Sequence, residues 1–296
     1  MVDGIFNVLK PPGMTSHDVV GAMRRILQMK KVGHGGTLDP MAAGVLPIFA
    51  GKATRFLEYA VEGRKVYRAV LTLGSKTDTG DGEGKVIATS SVRVLTEAEI
   101  KSALSSFLGA GKQVPPMYSA ISIGGQKLYK LARAGLEVER SSRDIFIHRL
   151  DFLAYRGQEI IFEVECSKGT FIRTLSEDIA ASLGMVGHMS FLLRRQVAGF
   201  KLEESSTLEE LAANYEKGLL PLALALEGFP SLTVNNRQGR RIAQGVATTV
   251  KNITEGECYK LVTASNLVIG LATAKEGKLW GNKIINVPPE EIDEDN

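Results

Sequence analysis

The segment VGHGGTLDPMAAGVLPIFAGKATRF, residues 32–56, is the most informative stretch of the 296-residue chain. It places four glycines within its first thirteen residues and has a single acidic side chain, Asp39, ahead of an apolar run. Asp39 precedes Pro40, and a residue before proline is held in extended backbone, which fixes where its carboxylate points. An Asp-Pro pair more often only begins a turn, so the spacing alone favours a turn over a catalytic aspartate.

The hydrophobic pattern around this segment mixes helix and strand signals. Apolar residues predict helices at 17–29 and 171–183, strands at 65–73 and 159–165, and two helix starts with capping boxes at Thr96 and Thr207. Ser16 is the predicted N-cap of the first helix. In the strand at 65–73, Tyr67 shares an apolar face with every second residue, so we expect its ring to face the protein interior.

The pattern changes at residue 229, where short β-like segments separated by glycines begin. We therefore predict one domain at 1–228, a small β-rich module at 229–289 and an acidic tail at 290–296. Residues 113–143 contain two prolines, a Gly-Gly pair and five basic residues from position 127 onward. This composition predicts an insertion in the first domain that contacts a ligand.

The net formal charge of +3 conceals a segregation of charge along the chain. Residues 21–80 hold ten Lys and Arg against four acids, residues 231–283 hold eight against three, and residues 201–230 hold two against six. Two basic blocks that flank an acidic connector favour a polyanionic partner, with nucleic acid the first candidate. Scattered solvated lysines would give the same count, and charge alone does not separate the two interpretations.

Several classes of protein are excluded by composition and by missing motifs. The chain is 44% hydrophobic and 23% charged, which is ordinary for a globular protein. Its two cysteines and four histidines supply no zinc framework. G-x-S-x-G and dinucleotide motifs are absent, and residues 167–170 match only part of a phosphate-binding loop. No signal peptide or membrane-spanning run occurs, so we expect a soluble cytoplasmic protein, monomeric, without metal or cofactor.

Residues 33–47, GHGGTLDPMAAGVLP, resemble the catalytic motif of the TruB family of pseudouridine synthases, in which the aspartate is essential. Six further motifs occur in the family's order: KPPGMTSHDVV (10–20), KVYRAVLTLG (65–74), TDTGDGEG (77–84), VPPMYSA (114–120), KLYKLARAG (127–135) and CSKGTFIRTLSEDI (166–179). The resemblance covers about residues 4–228, and the rest is similar to the PUA-type module of bacterial members. It implies an α+β fold with a mixed, mainly antiparallel sheet and flanking helices, plus a small β-rich PUA-like C-terminal module.

The resemblance implies an isomerase that converts uridine to pseudouridine at position 55 in the T loop of tRNA, after flipping the base out of the stack. On the family's pattern Asp39 is the nucleophile and Arg173 is its buried partner. Tyr67 stacks on the target base and helps remove its C5 proton. An ionised, well-aimed aspartate is a competent covalent nucleophile, and the planar guanidinium of Arg173 suits the task of holding it. Attack at ribose C1′, addition at uracil C6 and glycal formation all remain open.

The remaining matches are to substrate-binding positions, namely His34, Leu192, Phe171 and Lys10. The family's pattern implies that His34 packs into the opened T loop and that Leu192 lines the uracil pocket, with Leu193 beside it. Lys10 supplies charge for phosphate contacts, which position an RNA without reading its sequence. Two positions depart from the family: Phe171 stands where many relatives have tyrosine, and Ser122 stands where a lysine is expected.

Two alternative functions remain open on the sequence. The first is a non-catalytic protein that binds or folds tRNA with the same surface, which loss of the aspartate would favour, and Asp39 is present. The second is another RNA-modifying enzyme such as a methyltransferase, which would need a glycine-rich cofactor loop that the sequence lacks. We also expect the basic C-terminal module to reach the acceptor stem of tRNA.

Overall fold

The structure is a computed structural model that describes residues 2–289, and it is built on a ten-stranded sheet, a four-stranded sheet and two short hairpins. The strands are β1 (Gly4–Lys10), β2 (Val32–His34), β3 (Ala43–Ala50), β4 (Lys65–Leu73), β5 (Ser75–Thr77), β6 (Val86–Thr89), β7 (Gly109–Gln113), β8 (Ser122–Ile123), β9 (Gln126–Lys127), β10 (Arg143–Arg156), β11 (Glu159–Cys166), β12 (Gly187–Val197), β13 (Phe200–Lys201), β14 (Leu219–Leu220), β15 (Ser231–Thr233), β16 (Cys258–Val262), β17 (Val268–Lys275) and β18 (Lys278–Ile284). The α-helices are α1 (Ser16–Ile26), α2 (Leu57–Glu62), α3 (Glu97–Ser105), α4 (Leu128–Arg133), α5 (Ile172–Ser182), α6 (Leu208–Ala213) and α7 (Asn236–Ala243). Short 3-10 helices occupy Gly51–Phe56, Leu202–Glu204, Tyr215–Gly218 and Leu222–Leu226.

The large sheet has the order β14-β1-β3-β12-β4-β11-β10-β7, with β2 added to β3 and β13 added to β12. Its pairings are antiparallel except for the contact between β12 and β3. In β4 every second residue, Tyr67 among them, is buried, which confirms the predicted strand and its apolar face. The predicted α+β fold with a mainly antiparallel sheet and a small C-terminal sheet is confirmed.

The parallel contact between β3 and β12 lies at the centre of the large sheet and brings two backbones unusually close. Gly44 of β3 is the Cα partner of Arg194 in β12. A Cβ on Gly44 would lie 2.2 Å from the Arg194 carbonyl oxygen, and the glycine has a φ of +114°. Only glycine adopts that conformation without a steric penalty. This close approach anchors the loop that joins β2 to β3 beside β12.

The N-cap of helix α1 lies one residue before the predicted cap, and the helix ends three residues earlier than predicted. Thr15 is the N-cap: its side chain accepts a hydrogen bond from the Asp18 amide, and the Asp18 carboxylate accepts one from the Thr15 amide. This reciprocal capping box satisfies two free amides, whereas the predicted cap, Ser16, turns inward and is buried. The capping boxes predicted at Thr96 and Thr207 are both confirmed.

The segment predicted as an insertion leaves the large sheet at Gln113 and rejoins it at Arg143, and these two residues are Cα partners in the pairing of β7 with β10. Between them lie the β8-β9 hairpin and α4. Leu128 is fully buried and its amide bonds to the Ile121 carbonyl at 2.8 Å, which joins α4 to the chain before the hairpin. The segment is therefore an excursion between two neighbouring strands at the edge of the sheet.

The small sheet, in the order β15-β16-β17-β18, packs with α7 against its own apolar cluster. It also shares an apolar cluster with the large sheet, in which Leu271 of β17 joins Phe49 and Phe56. At the same junction the Lys283 ammonium donates to the Glu58 carboxylate and to the Arg55 carbonyl. Removing the small sheet would therefore expose part of the core of the remaining chain.

Among the helices within residues 2–289, none has both the length and the apolar character needed to cross a membrane. The acidic tail predicted at 290–296 lies outside the described residues.

Candidate active site

The loop between β2 and β3 carries Asp39 and is tied to the chain segment before α1. The Gly13 amide donates to the Pro40 carbonyl at 2.8 Å. The Ser16 hydroxyl accepts from the Leu38 amide at 2.9 Å and donates to the Leu38 carbonyl at 3.1 Å. Because the residues on both sides of Asp39 are held, the carboxylate has a fixed direction, and its side chain is one-third exposed.

Arg173, in the first turn of α5, forms an ion pair with the partly exposed carboxylate of Asp39. Its Nε lies 3.1 Å from Oδ2 of Asp39. Its Nη1 donates to the Thr79 carbonyl at 2.9 Å and its Nη2 to the Tyr118 carbonyl at 2.7 Å. The guanidinium is almost fully buried, so it cannot follow the carboxylate if the latter moves. Two hydrogen bonds to backbone carbonyls fix the guanidinium, and its ion pair holds the Asp39 carboxylate beside it.

A second carboxylate, Asp81, lies on the far side of the same guanidinium. Its Oδ2 is 3.7 Å from Nη1 of Arg173. Its Oδ1 accepts from the Thr79 hydroxyl at 2.6 Å and from the Glu83 amide at 3.1 Å, and the residue is buried. A buried charge is tolerated when it is paired and hydrogen-bonded. Asp81 therefore stabilises Arg173 in the position from which it contacts Asp39.

Tyr67 and Leu192 line the same side of the sheet. In the pairing of β4 with β12, Ala69 faces Leu192 and Tyr67 faces Arg194, and residues opposite each other across strands share a face. Leu193 points to the other face. Burial raises the pKa of the Tyr67 hydroxyl to about 12, so the side chain is a neutral phenol at physiological pH.

Lys10 lies beside the loop that carries Asp39, as expected, but its side chain is directed into the protein. Its side chain is fully buried, and Nζ donates to the carbonyls of Pro11 (2.8 Å), Pro40 (3.1 Å) and Ala42 (2.7 Å). An ammonium with these three partners and no exposed surface has no free donor for phosphate. The prediction that Lys10 contacts RNA phosphate is therefore wrong, and the residue instead holds the loop around Asp39.

Lys10 gives a testable pH dependence. Burial lowers its pKa from 10.5 to about 8 in the folded protein, so between these values the unfolded chain binds the additional proton. Stability from this group therefore rises with pH across that window. We expect the free energy of unfolding of the wild type, relative to Lys10→Met, to increase by about 2 kcal/mol between pH 7.5 and pH 10. Urea unfolding of both proteins at the two pH values measures this difference. If the free energies of unfolding of the two proteins change equally with pH, the prediction is contradicted.

His34 is the last residue of β2, where the loop begins, and Phe171 is the N-cap residue of α5, two positions before Arg173. The ring centroid of His34 lies 5.4 Å from that of His17 in an edge-on arrangement, and burial, followed by the nearby His17, lowers the His34 pKa. Its imidazole is therefore neutral at pH 7 and suited to packing. Phe171 is held by Gln113, whose Oε1 accepts from the Phe171 amide at 2.9 Å and whose Nε2 donates to its carbonyl at 3.3 Å.

These side chains give the site one accessible carboxylate, a buried counterion behind it and an apolar wall that contains a phenol. Such a set can supply a nucleophile, hold it in place beside a counterion and bind a flat ring. Within the part of the chain that the structure describes, no three His, Cys, Asp or Glu side chains are grouped so as to hold a metal ion.

Family models match most of the chain. The model for the N-terminal domain of the TruB family of pseudouridylate synthases matches residues 24–172, and the model for the C-terminal domain of tRNA pseudouridylate synthase B matches residues 173–224. The chain belongs to the TruB family. Members of this family are pseudouridine synthases, so the protein is an isomerase that acts on uridine in RNA, and the family implies tRNA as the substrate.

Relatives with curated names are similar to this TruB-family chain over most of its length. It is 50% identical over 253 residues to tRNA pseudouridine synthase B of Symbiobacterium thermophilum, a match that covers 84% of each chain. It is 43% identical over 289 residues to tRNA pseudouridine synthase B of Moorella thermoacetica, covering 92% of this chain and 94% of the relative.

Solved structures give the same result for the fold. A crystal structure of a Cbf5-Nop10-Gar1 complex contains a chain that is 26% identical to this TruB-family chain, with a TM-score of 0.77 over 95% of this chain and 84% of that one. A structure of an H/ACA RNP bound to a substrate RNA that contains 2'-deoxyuridine gives 25% identity and a TM-score of 0.74, covering 97% and 85%.

The structure brings most of the predicted site residues of this TruB-family enzyme together. Asp39 and Arg173 form an ion pair, and Tyr67 and Leu192 belong to one apolar cluster near them. Some residues at the site were not predicted as site residues. Asp81 lies in the motif TDTGDGEG, and its place between two glycines is the feature of the sequence that could have indicated a role at the site. Ser16 is predicted as a helix cap, whereas in the structure its hydroxyl bonds Leu38 in the loop that carries Asp39.

Proposed function

We propose that this enzyme converts uridine 55 in the T loop of tRNA to pseudouridine, with Asp39 as the nucleophile. The observation that carries the proposal is the contact of 3.1 Å between Nε of Arg173 and Oδ2 of Asp39. The cation is inaccessible whereas a third of the carboxylate side chain is open, so a ligand meets the nucleophile first. Oriented nucleophiles next to fixed counterions are typical of covalent catalysis.

The target uridine has to leave the base stack to reach this carboxylate. Once it is flipped, the Tyr67 ring and Leu192 offer it an apolar wall. Asp39 assists cleavage of the bond between N1 and C1′, the uracil rotates, and C5 bonds to C1′. The proton on C5 leaves and N1 gains one, so the reaction needs no net reactant. His34 and Phe171 are positioned to contact the opened loop of the RNA.

The decisive experiment is pseudouridine mapping at nucleotide resolution on unmodified tRNA after incubation with the pure protein. We expect a single modified position, 55, in the full tRNA and in the isolated T-arm stem-loop. Modification at another position would contradict the choice of target while leaving the isomerase activity intact. Absence of any pseudouridine, with tRNA binding retained, would favour the non-catalytic alternative of a tRNA-binding or folding protein.

The proposal extends to the C-terminal sheet, which we assign as a PUA-like RNA-binding module at 229–289 beside the catalytic domain at 1–228. Arg237 and Arg241 are both exposed and lie one turn apart on α7, so they share a face. We propose that this face contacts the phosphates of the acceptor stem. Both cysteines, Cys166 and Cys258, are free, which is typical of a reducing compartment and supports a cytoplasmic location.

Reversing the charges on α7 tests this role without removing the module. The double variant Arg237→Glu/Arg241→Glu is expected to weaken binding of full tRNA by about 10-fold or more at physiological salt, because each lost phosphate contact weakens affinity. Binding of the isolated T-arm stem-loop should not change, since it has no acceptor stem. The matched control is Lys201→Glu/Lys217→Glu, which reverses two exposed lysines in the acidic connector. Equal loss for tRNA and stem-loop would contradict an acceptor-stem contact.

A further inference from the structure

Arg194 is the largest of the side chains that are almost completely buried, with 1% of its surface exposed. Its guanidinium donates three hydrogen bonds, all to backbone carbonyls. Nε bonds Val45 at 2.7 Å, Nη1 bonds Thr37 at 3.1 Å and Nη2 bonds Gly36 at 3.1 Å. Two of these acceptors precede Asp39 in the loop and the third follows it at the start of β3.

A buried guanidinium normally requires a carboxylate partner. Arg173, in the same site, has two. Among residues 2–289 no carboxylate is within ion-pair distance of Arg194, and carbonyl dipoles alone offset its charge. A neutral apolar side chain would fill this space without burying a charge. The planar fork of arginine is the feature that an apolar side chain cannot replace, because it spans three carbonyls in one plane.

The same side chain also meets the tyrosine of the active site. Arg194 and Tyr67 are Cα partners across β12 and β4, and while burial raises the pKa of the Tyr67 hydroxyl, the nearby charge of Arg194 opposes that rise. On its other side, the Arg194 backbone contacts Gly44 so closely that no side chain fits between β12 and β3. The residue therefore stands where the loop of Asp39, the strand of Tyr67 and the strand of Leu192 converge.

We propose that Arg194 is a positioning residue of the active site, which fixes the loop on both sides of Asp39 and sets that loop against the Tyr67 hydroxyl. The inference rests on the proposed roles of Asp39 and Tyr67. It assigns to Arg194 no contact with the RNA. Arg194 acts by keeping the distance between the Asp39 carboxylate and the Tyr67 hydroxyl constant. The orientation of a flipped base depends on that distance.

The test compares Arg194→Lys and Arg194→Gln with Arg195→Lys as a matched control. Arg195 is the next residue of β12 but points to the opposite face, where it pairs with Glu163 and Glu203. For Arg194→Lys we expect kcat on a T-arm stem-loop to fall about 100-fold, the scale of a displacement of roughly 1 Å in a catalytic group. KM should change by less than about threefold, because the RNA-binding surface is intact. Arg195→Lys should keep both constants within about twofold of the wild type.

Hydrogen exchange supplies a readout that does not depend on activity. In Arg194→Lys, amides of peptides covering residues 35–43 should exchange faster than in the wild type, while those of α7 are unchanged. Wild-type kcat and wild-type exchange in either folded Arg194 variant would overturn the proposal. Failure of both Arg194 variants to fold, with a folded Arg195→Lys, would overturn it as well, because Arg194 would then be a stability residue.

The outcomes separate this inference from the proposed function. If Asp39→Asn is active, the assignment of the nucleophile fails, whatever Arg194 does to the loop. If Asp39→Asn is inactive and Arg194→Lys has wild-type turnover, the nucleophile stands and only the role of Arg194 fails. Slow turnover of Arg194→Lys together with faster exchange at residues 35–43 supports both.

Discussion

Asp39→Asn is expected to abolish pseudouridine formation, lowering kcat by about 10⁴-fold or more, while affinity for tRNA stays within about twofold. The carboxamide has nearly the volume of the carboxylate, so the loop held by Ser16 and Lys10 does not need to move. The amide is not a nucleophile, and it replaces the ion pair with Arg173 by an ordinary hydrogen bond. Binding is retained because most contacts with RNA lie outside this one side chain.

The measurement is release of the C5 hydrogen from labelled uridine in tRNA, with filter binding of the same tRNA in parallel. Intact mass of the variant protein excludes deamidation back to aspartate. Asp78→Asn is the matched control, because Asp78 is an exposed carboxylate in the motif TDTGDGEG and, within residues 2–289, accepts a hydrogen bond only from the Lys85 amide. Turnover by Asp39→Asn at more than about a hundredth of the wild-type rate would contradict the assignment, since loss of a nucleophile costs far more.

The parts of this fold that follow from local sequence were predictable. The alternation at 65–73 determines the strand and which side of it is buried, because successive side chains point to opposite faces. The capping boxes at Thr96 and Thr207 are set by residues three apart, and both are present. The resemblance also paired Asp39 with Arg173, two residues far apart in sequence that the fold brings to 3.1 Å.

The remainder depends on tertiary contacts that no local pattern encodes. Thr15 and Ser16 are equally good caps, and only the position of Leu38 draws the Ser16 hydroxyl inward. A lysine near a catalytic loop is usually exposed, yet three carbonyls converge on Lys10. Arg194 and Arg195 are adjacent and identical in type, but the alternation of β12 buries one and leaves the other at a salt bridge.

Tyr67→Phe is the second change for which we expect a large effect, a fall in kcat of about 100- to 1,000-fold with little change in KM, the scale of a lost acid–base group. The phenylalanine ring keeps the apolar wall, so the flipped base can still bind. What is lost is the hydroxyl, which burial keeps protonated because its pKa is raised to about 12. A neutral phenol can take up the C5 proton only while it passes its own proton to water or another acceptor, and both transfers use the oxygen that phenylalanine lacks.

The pKa of Tyr67 also predicts the pH profile. Because the folded-state pKa lies near 12, Tyr67 does not ionise between pH 6 and pH 10. The dependence of kcat on pH in that range should therefore have the same shape in the wild type and in Tyr67→Phe. Tyr67→Leu distinguishes the ring from the hydroxyl: it lacks both, so it should raise KM as well as lower kcat. A Phe variant that turns over at the wild-type rate would leave Tyr67 with stacking alone, and removal of the C5 proton would then belong to Asp39 or to water.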